Sequence, residues 1–84
     1  MTMLYDIGDI VYYLKSDCQN FEIIKCYVYG YFNFGNGWKI RLHTNRNKYK
    51  YVEYDLPVSD VGYTIFANKS QAEERIKELK GKRD

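Results

Sequence analysis

The stretch from Trp38 to His43 alternates cleanly: Trp38, Ile40 and Leu42 fall on one side, Lys39, Arg41 and His43 on the other. A period of two marks a half-buried strand, because successive side chains point to opposite faces. A looser version of this pattern, rich in β-branched and aromatic residues, runs through Ile10 to Lys15 and through Phe21 to Phe32. Between the second of these and Trp38 lies Asn33-Phe34-Gly35-Asn36-Gly37. Its Asn-Gly pair tolerates the positive φ angles of a tight hairpin turn. Ile7-Gly8-Asp9 and the segment Ser16 to Asn20 read as turns on either side of the first strand. Gly30 lies inside the second strand and predicts a bulge or corner there. A turn at Thr44 to Asn47, a fourth strand from Lys48 to Asp55, a loop around Pro57 and a short strand from Tyr63 to Phe66 complete the β portion.

After Phe66 the period changes. Ala72, Ile76 and Leu79 recur at helical spacing and form a narrow apolar stripe. Ser70 and Glu73 stand at the spacing of a capping box, and Gly81 is a suitable stop. Lys80, Lys82 and Arg83 put positive charge at the negative end of the helix dipole. The pattern predicts a helix over about 70–80, lying against one open side of the sheet. Five short strands and one helix within 84 residues make a single domain spanning 1–84, with its strands inside 9–66. The expected class is mainly β within α+β: a five-stranded antiparallel meander curled into an SH3-like barrel, with one C-terminal α-helix.

Two segments carry a family resemblance. Ile7-Gly8-Asp9-Ile10-Val11-Tyr12-Tyr13 resembles the "GD-x-V-Y/W" opening of SH3-like barrels. The stretch from Val61 to Glu74, with Ile65-Phe66 and Lys69-Ser70-Gln71-Ala72-Glu73, is similar to the "V/I-F-x-T-K/R-E-E-A" ending of small phage and prophage proteins of Gram-positive bacteria. Asn68 stands where threonine is usual in that ending, and Ser70 is expected to take the capping role. The resemblance implies an accessory protein of phage or mobile-element type. It would act in the cytoplasm of a bacterial host and interfere with host machinery or host defence. It implies no catalytic residues, because these motifs serve a turn and helix docking.

Composition adds one unusual feature. Apolar residues make up 45% of the chain and aromatic residues 18%, with ten tyrosines. That is more tyrosine than a small core can hold, so several rings are expected on sheet faces. Such rings either pair across strands or offer contact surface to a partner. Tyr12, Tyr27 and Tyr29 are the candidates for a protein-binding face.

Charge is also uneven. Residues 1–37 carry a net −2, residues 38–52 a net +5 with no acid, and residues 53–84 a net −1. Lys39, Arg41, Arg46, Lys48 and Lys50 are therefore candidates for contacting phosphate, with Trp38, Tyr49 and Tyr51 as candidates for stacking on bases. The plainer reading is a solvated outer face whose lysines and arginines block edge-to-edge association. The leading functional expectation is a non-enzymatic protein that binds a nucleic acid, a nucleotide or a nucleoprotein through this segment. The alternative is a protein-interaction module that inhibits a bacterial host or defence complex through the tyrosine-rich face; oligomeric state is not specified.

Catalytic chemistry finds little support. His43 is the only histidine and reads as a solvated residue on a charged strand face. Glu53 and Asp55, two apart on one strand face, are best read as balancing the neighbouring lysines. Two cysteines, Cys18 and Cys26, cannot supply a four-ligand zinc site. Their settings, a polar turn and an apolar strand, do not favour a disulfide, and free thiols fit a reducing compartment. No metal, cofactor or enzymatic activity is expected. No apolar run approaches the ~20 residues that cross a bilayer, and no segment has the pattern of a signal peptide.

Overall fold

The computed structural model describes residues 5–17, 20–45 and 50–81. Five antiparallel strands form one sheet: β1 (Ile10–Asp17), β2 (Asn20–Asn33), β3 (Trp38–His43), β4 (Glu53–Pro57) and β5 (Ile65–Phe66). A 3₁₀ turn (Val58–Asp60) links β4 to β5, and the chain ends in α1 (Lys69–Gly81). The sheet order is β4-β3-β2-β1-β5, so β4 and β5 lie at opposite edges. The fold is the expected mainly β arrangement with one C-terminal helix. The sheet is curled but not closed into a barrel.

Register sorts the side chains onto two faces. On the inner face Val11 pairs with Cys26, Val28 with Leu42, and Ile40 with Leu56. Val11, Cys26, Val28, Ile40, Leu42 and Ile65 make the buried core, flanked by Tyr13, Ile24, Tyr31, Tyr54 and Val58 among others. Burial in this core raises the Cys26 thiol to about 11, which keeps it protonated. The Tyr31 hydroxyl donates to the Tyr5 carbonyl at 2.8 Å and accepts from the Tyr5 amide at 3.2 Å, pinning the segment before β1 over the core.

On the outer face the helix covers one end only. Leu14, Phe66 and Ala72 are buried there, with Phe21, Ile23, Ile76 and Leu79 packed around them. The predicted stripe of α1 is thus the face that docks. Its cap differs from expectation. Asn68, not Ser70, accepts the Gln71 backbone amide at 2.9 Å, and the Ser70 hydroxyl donates to that same Asn68 oxygen. Asn68 sits one residue before the first turn, where a side-chain oxygen reaches the unpaired amides best.

Other boundaries move for local reasons. β4 begins at Glu53 and runs to Pro57, several residues later than the pattern of Tyr49 and Tyr51 suggested. Thr44 closes the base of the preceding loop instead: its amide donates to the Val52 carbonyl, and its hydroxyl accepts the Val52 amide at 2.9 Å. Proline ends β4 on a sheet edge, where the ladder loses nothing by its missing donor. Gly35 (φ 93°) and Gly37 (φ 115°) form the β2–β3 turn as predicted, helped by the Asn33 side chain, which accepts the Gly35 amide at 2.9 Å.

Candidate functional site: an aromatic ladder on the outer face

The outer face of β2, β3 and β4 lies beyond the helix and holds a row of stacked rings. Tyr29 stacks on His43 with centroids 4.1 Å apart and 16° between planes, and His43 stacks on Tyr51 at 4.1 Å and 14°. The row continues through Phe32, 6.5 Å from Tyr29, to Phe34, 6.1 Å from Phe32, with planes tilted by 20° and 26°. Both ends and the middle of the row are open: Phe34 is 55% exposed, Tyr51 43% and Tyr29 53%.

The β-bulge in β2 produces this row. Val28 pairs with Leu42 and Gly30 with Arg41, so Tyr29 is the extra residue with no partner opposite. Side chains alternate with a period of two, so one inserted residue reverses the faces that follow. Tyr31 therefore turns inward beside Ile40 and reaches Tyr5, while Phe32 turns outward to the side that Tyr29 occupies.

A chain of charged groups runs beneath the rings. Arg41 makes a two-pronged contact with Asp55, through Nε at 2.7 Å and Nη2 at 3.0 Å. Its Nε also lies 3.5 Å from Glu53 Oε2. The other oxygen of Glu53 lies 2.9 Å from His43 Nε2. The guanidinium stands 4.4 Å from the centroid of Phe32 and 5.9 Å from that of Phe34. The hydrogen bond from Arg41 holds the Asp55 carboxyl below the ordinary carboxylate range. These contacts also correct one expectation: His43 is not a solvated residue but is buried to 9% exposure between its two tyrosines.

Of the predicted phosphate and stacking residues that the structure describes, Lys39, Arg41 and Tyr51 share the ladder face and Trp38 does not. Arg41 is engaged by two carboxylates. Lys39 is half-buried in register with Phe32 and Pro57, and Lys50 is exposed beside Tyr51. Trp38 is 43% exposed but starts β3 on the side of Ile40 and Leu42, away from the ladder. Arg46, Lys48 and Tyr49 lie outside the described residues.

Of the three tyrosines proposed for a protein-binding face, Tyr12, Tyr27 and Tyr29 share the outer face by register. Tyr12 is half-buried between Lys25 and Phe66, and Tyr27 is half-buried beside Ile10 and His43, which leaves Tyr29 the most open. Phe32, Phe34, His43, Glu53 and Asp55 were not foreseen as one site. The bulge signal at Gly30 was the clue that Phe32 would change sides.

Elsewhere, a shallow cleft of about 320 Å³ lies between α1 and the Gly62–Tyr63 turn, floored by Phe66. Its cation, Arg75, is held by Glu78 at 3.2 Å and lies 5.9 Å from the Tyr63 ring. Among the described residues no group of three or more His, Cys, Asp or Glu could hold a metal ion, and no helix is long and apolar enough to cross a membrane. No protein-family model, curated protein or solved structure matches the chain.

Proposed function

We propose that this chain is a non-enzymatic binding module that holds a partner protein against the ladder Phe34–Phe32–Tyr29–His43–Tyr51. The observation that carries the reading is the ladder itself: five rings in one row on a sheet face that the helix leaves uncovered. Aromatic residues concentrate in the cores of protein interfaces, where rigid rings contribute large contact area at little cost in side-chain entropy. Exposed apolar surface gathered in one place has the same significance.

Two features favour protein over nucleic acid. A base-stacking platform needs open ring faces, whereas both faces of His43, and the His43-facing sides of Tyr29 and Tyr51, are taken up within the ladder. A phosphate contact also needs free cations, whereas Arg41 is neutralised in place by Asp55 and Glu53. The resemblance to phage-type proteins makes a bacterial host protein the expected partner, such as a component of a defence complex.

Binding of a nucleic acid or nucleotide is the second reading. It draws on exposed Lys50 beside Tyr51 and on the +5 charge of residues 38–52.

Fluorescence polarisation of labelled single- and double-stranded DNA and RNA, at low and physiological salt, separates the two. The protein reading expects no saturable binding even at low salt. Saturable binding that collapses as salt rises would mark released counterions and transfer the proposal to the basic segment.

A further inference from the structure

The bulge does more than bend β2. We infer that Gly30 is a positioning residue for the Phe32–Phe34 end of the ladder, acting through the space its missing side chain leaves. A Cβ at position 30 would lie 3.1 Å and 3.3 Å from two atoms of the Phe32 ring. Phe32 therefore occupies the volume a side chain at 30 would fill. Arg41 is the register partner of Gly30, and its guanidinium stands 4.4 Å from the centroid of that same ring. The three groups form one stack: the bare backbone of Gly30, the Phe32 ring above it, and Arg41 against the ring.

Glycine is not needed here for its backbone. Its φ lies outside the left-handed region that marks Gly8, Gly35, Gly37 and Gly62. Any residue could adopt the conformation of Gly30, and alanine in a strand would ordinarily improve matters by restricting the unfolded chain. What alanine would disturb is the seat of one ring. Gly30 thus sets the seat of the Phe32 ring: a Cβ there would push the ring by a few tenths of an ångström, and with it the contact that the ring makes with Arg41. The consequence for partner binding rests on the reading of the ladder as a contact surface; the positioning role does not.

A double-mutant cycle tests the positioning directly. Gly30→Ala is expected to lower the urea midpoint of the otherwise native chain. In a Phe32→Leu background the same change is expected to leave the midpoint unchanged or raise it, because the clashing ring is gone. NMR supplies a readout that general destabilisation would not move. The Phe32 ring, 4.4 Å from the guanidinium, should shift the Arg41 side-chain protons upfield in the native protein, and that shift should lessen in folded Gly30→Ala. Equal midpoint losses in both backgrounds, or Arg41 shifts unaffected by Gly30→Ala, would overturn the assignment. If the cycle and shifts behave as expected while partner cross-linking at position 34 is unaffected by Gly30→Ala, the positioning role stands and the docking proposal is what fails.

Discussion

Arg41 and His43 are the residues of the ladder whose surroundings come from strands that their own segment does not contain. Alternation along β3 correctly puts both on the polar side, yet it does not say what stands on the flanking strands. Tyr29 comes from β2, Tyr51 from the segment before β4, and Glu53 and Asp55 from β4 itself. A histidine on a polar strand face becomes buried once its neighbours contribute rings. Single-strand periodicity contains no term for that. Glu53 and Asp55 are legible as residues that balance neighbouring lysines; the cation they contact is Arg41, with Lys39 adding to the field at Asp55, while Glu53 also lies within hydrogen-bond distance of the His43 ring.

The Asp55–Arg41 contact has a definite pH signature. Because Arg41 lowers the Asp55 carboxyl in the folded chain, the contact stabilises fully above the unfolded carboxylate value near ~4 and fades as pH falls through the lowered folded value. Comparison of urea midpoints for the native chain and Asp55→Asn should therefore show a modest deficit in the variant at neutral pH. The deficit should shrink as pH falls below the unfolded carboxylate value of ~4. A deficit of equal size above and below that value would mean that Asp55 acts through packing and not through its charge.

At the scale of elements, the signals that proved reliable are those that backbone chemistry imposes locally. The Asn-Gly turn, the strand from Trp38 to His43, the glycine at the bulge and the docking stripe of α1 all follow from a few adjacent residues. Ser70 and Glu73 match the spacing of a capping box, yet Asn68, two residues before Ser70, makes the hydrogen bond that caps α1. Asn68→Ala should cost about 1 kcal/mol of stability, the usual worth of a side-chain cap, and Ser70→Ala clearly less. Thermal melts of the two variants measure this, and the reverse order would restore Ser70 as the cap. The start of β4 also lies later than the alternation of Lys48, Tyr49, Lys50 and Tyr51 predicts: among the described residues Lys50 to Val52 precede the strand, and Lys48 and Tyr49 lie outside them. The Thr44–Val52 clamp that sets the true boundary joins residues eight apart and depends on one hydroxyl.

For the whole molecule, one open sheet has unequal coverage on its two faces. The inner face curls around its own core with help from Val58, Val61 and Ile65. The outer face is longer than a thirteen-residue helix can cover, so α1 shields the Leu14–Phe66 end and leaves the β2–β4 end bare. The ring row gathers on that bare end, and its charges are matched within it. A surface of this kind suits apolar contact with another protein better than steering toward a polyanion.

Site-specific photo-cross-linking in bacterial cells tests this most directly, with benzoyl-phenylalanine replacing Phe34 or Tyr51 in turn and, as control, the exposed Ser59 in the 3₁₀ turn. The account predicts one discrete protein adduct from positions 34 and 51, lost when Tyr29→Ala is added, and none from position 59. Adducts from position 59 alone, or adducts at 34 and 51 that persist unchanged with Tyr29→Ala, would contradict the ladder as the contact surface.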